Sequence, residues 1–62
     1  MFLTGEELRG YIYGLMMECE TNEYEIIEPL IEDERFFGGI SFDKNEFDES
    51  FKKASEMYTA FN

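Results

Sequence analysis

The last third of the chain carries apolar residues at the spacing of one face of an α-helix. Asp43 or Asn45 can cap the start of this helix, because a short polar side chain there accepts hydrogen bonds from free backbone N–H groups. The apolar stripe consists of Phe47, Phe51, Ala54, Met57, Tyr58 and Phe61. The pattern therefore predicts an amphipathic helix whose apolar face belongs to the core.

A second helix is predicted from Thr4 to about Glu20. Thr4 and Glu7 have the spacing of a capping box, in which each side chain satisfies a backbone N–H of the other residue. The apolar positions that share one helical face are Leu8, Tyr11, Ile12, Leu15, Met16 and Cys19. A strand over residues 11–19 is the less favoured alternative.

Two glycines interrupt the first predicted helix. Gly10 and Gly14 each weaken a helix by about 1 kcal/mol relative to alanine. Their presence indicates close approach by another backbone, either at a helix crossing or at the face of a homodimer. We therefore expect Gly10 and Gly14 to mark a possible dimer face.

The middle of the chain is predicted to form an antiparallel β-hairpin. Residues 24–31 are apolar and partly β-branched, and Pro29 places this strand at an edge or at a bulge. Residues 32–34 form a polar turn, and residues 35–42 form a second strand that bends at Gly38–Gly39. The expected fold class is therefore α+β, with the order helix, hairpin, helix. The alternative is a short helix that begins at Pro29 and stops at Gly38, which makes the chain all-α with three helices.

The length of 62 residues fits a single compact acidic domain. At 7.4 kDa, surface scaling gives a folded area of about 4,200 Å² against about 10,700 Å² for the unfolded chain. With 18% aromatic residues, the chain is too apolar for a disordered acidic tail. No apolar run approaches the ~20 residues of a membrane span. Cys19 has no disulfide partner in the chain, so we expect it to be buried and the protein to be soluble and cytoplasmic.

Acidic residues dominate the composition and are concentrated in the first half. The chain has 15 acidic and five basic residues, which gives a formal net charge of -10. Eight of the acids lie in a stretch without any basic residue: Glu18, Glu20, Glu23, Glu25, Glu28, Glu32, Asp33 and Glu34. Such a field repels nucleic acids and anionic membranes and attracts basic protein surfaces. A surface that only keeps the protein soluble would show the same pattern.

The residue types that catalysis and metal binding require are scarce. The chain has no histidine, one cysteine and no glycine-rich phosphate loop. Residues 43–54 resemble the start of a calcium loop but fail the EF-hand template at its glycine position and at its twelfth position. We therefore expect no catalytic residue, no metal and no cofactor.

Carboxylate spacing supports a hypothesis of nucleic-acid mimicry. In a strand, Glu23 and Glu25 would project from one face about 6.7 Å apart. On a helix, acids three or four residues apart, such as Glu46 and Glu49, have Cβ atoms about 5–6 Å apart. Both spacings are comparable with those of neighbouring phosphates on one nucleic-acid strand.

The leading hypothesis is a small acidic inhibitor of the type that phages and mobile elements encode. It would occupy the basic nucleic-acid-binding surface of a host CRISPR effector or restriction nuclease, with Tyr13 or Tyr24 as aromatic contacts at the rim. The partner-binding residues expected are Tyr24 and the eight acids named above. The rival hypothesis is an acidic assembly module, either a homodimer or a subunit docked on a basic partner, with no link to nucleic acids.

Overall fold

A computed structural model describes residues 1–61, which form three α-helices. Helix α1 spans Gly5–Cys19, α2 spans Tyr24–Phe37 and α3 spans Lys44–Phe61. No strand is present within residues 1–61, where the one β-type contact is an isolated parallel bridge between Phe2 and Ser41. The α+β prediction with a central hairpin is therefore wrong, and the all-α alternative with three helices is the observed architecture.

The central segment is helical because only a helix separates its apolar and acidic side chains. Ile27 and Ile31 are fully buried, whereas Glu25 and Pro29 are exposed. A strand would place all four side chains on one face, because side chains in a strand alternate with a period of two. A helix turns Glu25 and Pro29 away from the core, which avoids burial of a carboxylate.

The start of α2 also differs from the predicted helical alternative. The helix begins at Tyr24, so Pro29 lies inside it and not at its first position. Proline has no N–H to donate to the Glu25 carbonyl, but this side of α2 is exposed and water can satisfy that carbonyl. The helix ends at Gly38 as predicted, where the Gly38 N–H donates to the Glu34 carbonyl at 2.8 Å.

Helix α1 packs most extensively against α3 and less extensively against α2. The buried apolar residues come from all three helices and from the segments that precede α1 and α3: Leu3, Leu8, Ile12, Met16, Ile27, Ile31, Ile40, Phe42, Phe47 and Ala54. The accessible surface is 4089 Å², close to the area predicted from the mass. None of the helices within residues 1–61 has the length and apolarity needed to cross a bilayer.

Two predictions about the ends of α1 are wrong. Thr4 has an extended backbone, but its side chain makes no capping hydrogen bond, so the predicted capping box is absent. Cys19 is exposed, although we expected it to be buried. It is the last residue of α1, and the chain leaves the helix axis at Glu20, whose φ of 56° lies in the left-handed region.

The N-terminal segment is fixed beside the loop that joins α2 and α3. The N-terminal ammonium group donates to the Gly39 carbonyl at 3.0 Å, and the Leu3 N–H donates to the Ser41 carbonyl at 2.8 Å. These bonds place Met1 and Phe2 at the same end of the molecule as the end of α2.

Asp43 is the residue that caps α3. Its Oδ1 atom accepts hydrogen bonds from the N–H groups of Asn45, at 2.8 Å, and of Glu46, at 3.3 Å. These bonds satisfy two donors that have no partner within the helix.

Replacing Asp43 by alanine is expected to lower the free energy of unfolding by about 1 kcal/mol, because the cap is lost. Urea denaturation followed by circular dichroism measures the change. Asp43→Asn is the control, since its side-chain oxygen can still accept both bonds. Equal stability of the alanine variant and the wild type would contradict a capping role.

Candidate functional site

Helix α2 has one face whose side chains are exposed to solvent. Ile27 and Ile31 turn toward the core, and the opposite side is exposed to solvent. We call this side the outer face of α2, and it consists of Glu25, Ile26, Pro29, Leu30, Asp33, Phe36 and Phe37. The outer face combines apolar and acidic side chains and contains no basic residue.

Large apolar side chains are exposed along the outer face. Ile26 and Leu30 are 44% and 36% exposed, and Phe36 and Phe37 are 76% and 89% exposed. Ile26, Leu30 and Phe37 lie on one line along the helix, because they are separated by four and seven residues. Contiguous exposed apolar side chains of this kind mark contact sites for other molecules.

Two of the five carboxylates of α2 form ion pairs within residues 1–61. Glu28 accepts a bond from Lys44 at 3.4 Å, and Glu32 lies 3.9 Å from Arg35. No ion pair within residues 1–61 includes Glu25 or Asp33 on the outer face. These two carboxylates are therefore free to meet a cationic partner.

Of the other predicted acids, three lie at or beside the connection between α1 and α2, and Glu34 lies near the end of α2. Glu20 is the C-cap residue that follows α1 and Glu23 is the N-cap residue of α2, so both belong to the connection. Glu23 is followed by the helix, so it does not form an extended row with Glu25, and that expectation is wrong. Glu18 and Glu34 lie on facing helices and line one groove.

This groove separates α1 from α2 and has a volume of ≈ 420 Å³. Its walls are formed by six residues: Gly10, Tyr11, Gly14, Leu15, Glu18 and Glu34. A Cβ atom added at either glycine would have no atom within 4 Å. The predicted close approach by another backbone therefore does not occur within the chain, and a dimer face at Gly10 and Gly14 stays a prediction.

Tyr11 lies in the groove with Glu34. Burial raises the pKa of its hydroxyl above the ordinary 10.0, and a hydrogen bond with Glu34 and the charges of Glu34 and Glu18 raise it further. On the opposite flank of α2, the hydrogen bond with Tyr24 raises the pKa of Lys44 above 10.5, and Glu28 adds to this effect. Both groups hold their protons more tightly in the folded chain.

The free energy of unfolding is expected to fall as the pH rises above about 10, because both pKa values are raised on folding. Their contribution is complete below the pKa values of the unfolded chain and is lost as the pH rises through those of the folded chain. Urea denaturation at a series of pH values measures the decline. A Tyr11→Phe variant should show a smaller decline, and an identical decline would contradict the role of Tyr11.

Tyr13 and Tyr24, the aromatic residues predicted at the binding rim, lie outside the outer face of α2. The Tyr24 ring packs edge-on against Phe51, with ring centroids 5.0 Å apart, and its hydroxyl donates to Asp48 at 3.3 Å. Tyr13 is partly buried against the core. Phe36 and Phe37 are far more exposed than Tyr24, at 76% and 89% against 37%, and the hairpin prediction hid them because it placed them in a strand. A helical wheel drawn over residues 24–37 would have separated them from Ile27 and Ile31.

No group of three or more cysteine, aspartate or glutamate side chains within residues 1–61 could hold a metal ion. No protein-family model matches the sequence. No match is found among the curated proteins or among the solved structures.

Proposed function

We propose that this chain is a non-enzymatic inhibitor that acts in the cytoplasm by occupying the basic nucleic-acid-binding surface of another protein. The target class is a host defence enzyme, either a CRISPR effector or a restriction nuclease. The origin in a phage or mobile element is proposed from the small size and the net charge of -10. The observation that carries the proposal is the outer face of α2, where unpaired carboxylates adjoin exposed apolar side chains.

The helical form of α2 supports mimicry of a nucleic-acid strand through the helical spacing of its acids and not through the extended spacing of Glu23 and Glu25. Glu25, Glu28 and Glu32 are separated by three and four residues, so neighbouring Cβ atoms lie about 5–6 Å apart. This spacing is comparable with that of phosphates along one nucleic-acid strand. In this row Glu25 has no ion pair within residues 1–61, and Glu28 and Glu32 would exchange Lys44 and Arg35 for the lysine and arginine side chains of a channel that binds such phosphates.

Phe36 and Phe37 favour a binding role over a surface that only keeps the protein soluble. A solubilising surface requires charge alone, and exposed phenylalanines reduce solubility. In protein interfaces, a few aromatic side chains provide much of the contact energy, and the surrounding charges steer the encounter. The outer face offers both components within one helix.

An acidic assembly module without any link to nucleic acids is the second candidate. It is favoured by the exposed apolar residues at one end of the molecule, where Met1 and Phe2 lie beside the loop that follows Phe37. Docking on a basic subunit fits this candidate better than a homodimer does, because two copies would bring two strongly negative surfaces together.

Affinity capture from a bacterial lysate at low and at high salt separates the two candidates. We expect a nucleic-acid-binding enzyme to be retained at low salt and released at high salt, because screening weakens exposed ion pairs. Competing duplex DNA should release the same enzyme. Recovery of only a partner that has no nucleic-acid function, insensitive to DNA, would favour the assembly module and contradict mimicry.

A further inference from the structure

We propose that the groove between α1 and α2, together with Leu30 and Phe37, binds a basic amphipathic α-helix of the partner. This inference rests on the proposed function, which requires a basic partner, and it specifies the element of that partner that is recognised. The groove and the outer face are continuous, because Leu30 and Phe37 lie one turn before and about one turn after Glu34.

The groove has apolar surface between two acidic rims. Tyr11 and Leu15 of α1 contribute apolar surface, while Glu18 and Glu34 contribute one carboxylate from each helix. An occupant that matches this arrangement presents apolar side chains inward and basic side chains on both flanks. A helix with apolar residues at i, i+3, i+4 and i+7 and with lysine or arginine beside them has this pattern.

The two glycines of α1 have no explanation within the chain itself. Each costs about 1 kcal/mol relative to alanine in a helix, and a Cβ atom at either position would meet no other atom within 4 Å. Larger side chains at these positions would occupy the groove. The absence of side chains at Gly10 and Gly14 therefore keeps open the space that a docked helix would need.

Charge complementarity selects a basic partner over a second copy of this chain. The eight acids between residues 18 and 34 have no basic residue among them. A second copy docked here would bring α1 or α2 against these acids, and like charges placed together in an interface cost several kcal/mol. A helix rich in lysine or arginine converts the same charges into attraction.

Two synthetic peptides of one composition provide the test. Both contain only leucine and lysine: the first places leucine on a single helical face, and its isomer distributes leucine around the helix. Fluorescence anisotropy of the labelled peptides measures their binding to the whole chain. We expect the amphipathic peptide to bind at least tenfold more tightly than the isomer.

Gly14→Leu is the variant that blocks the groove without weakening the helix, because leucine is a better helix former than glycine. We expect it to weaken binding of the amphipathic peptide at least tenfold, and Phe37→Ser to weaken it as well. Ala60→Leu and Phe61→Ser, at exposed positions near the end of α3, are the matched controls and should bind as the wild type does.

The outcomes separate this inference from the proposed function. Equal binding of the two peptides, or unchanged binding by Gly14→Leu, would overturn the inference. The proposal of a charge-driven inhibitor would be unaffected. Failure of both peptides to bind, while a nucleic-acid enzyme is still captured from lysate, would also overturn the inference alone. Failure of both peptides together with failure of the capture experiment would overturn both.

Discussion

Replacement of Phe47 by alanine is expected to unfold most of the molecules at room temperature. Phe47 is fully buried, and its ring lies 5.4 Å from that of Phe42 and 6.1 Å from that of Phe51, measured between centroids. Substitution of a buried phenylalanine by alanine costs about 3–5 kcal/mol. The core of a domain below about 70 residues rarely supplies more than 3–5 kcal/mol in total. The substitution therefore removes nearly all of the stability.

Far-ultraviolet circular dichroism and urea denaturation measure this effect. Phe61→Ala is the matched control on the same helix, because Phe61 is 76% exposed, and we expect it to change stability by less than about 0.5 kcal/mol. A Phe47→Ala variant that unfolds at the same urea concentration as the wild type would show that α3 does not pack on the core through this residue.

Reversal of two charges on the outer face is expected to weaken partner binding by about a hundredfold or more. The variant Glu25→Lys/Asp33→Lys removes the two carboxylates of the outer face and places ammonium groups against a basic surface. Like charges brought together in an interface cost several kcal/mol, and each 1.4 kcal/mol corresponds to a tenfold loss. Isothermal titration calorimetry with the captured partner measures the loss.

The matched control reverses two exposed acids on α3, in the variant Glu49→Lys/Glu56→Lys, with the same change in net charge. We expect the control to bind much more tightly than the α2 variant, although its long-range attraction to a basic partner is weaker than that of the wild type. Circular dichroism must confirm folding, because lysine near the start of α2 opposes the helix dipole by about 0.3–1 kcal/mol. Equal losses in the two variants would show that total charge, and not the outer face, determines binding.

Helices α1 and α3 were predictable from the sequence because each carries a long apolar stripe with the period of an α-helix. The predicted span from Thr4 to about Glu20 differs from α1 by one residue at each end. Residues 24–37 were not predictable in the same way, since Ile27 and Ile31 are four residues apart and fit both a helix and a strand. The position of Glu25 and Pro29 between them distinguishes the two structures, and the hairpin prediction gave too much weight to β-branched residues and to proline.

The candidate site was predictable only in its charge. Unpaired carboxylates avoid burial, so the exposure of residues such as Glu25 and Asp33 follows from composition. Phe36 and Phe37 are exposed because α2 is a helix that turns Ile27 and Ile31 toward the core. A hairpin prediction does not show this exposure. The pairing of Glu28 with Lys44 joins residues that are distant in sequence, so it depends on how α2 packs beside α3.

Competition with DNA shows whether this chain occupies the nucleic-acid-binding surface of its partner. Labelled duplex DNA is first bound to the purified nuclease or CRISPR effector that this chain captures, and the chain is then added while fluorescence anisotropy is recorded. We expect the anisotropy to fall to the value of free DNA, and we expect Glu25→Lys/Asp33→Lys to leave the DNA bound at the same concentrations. A complex in which the DNA and this chain are bound at the same time would contradict occupancy of the nucleic-acid-binding surface.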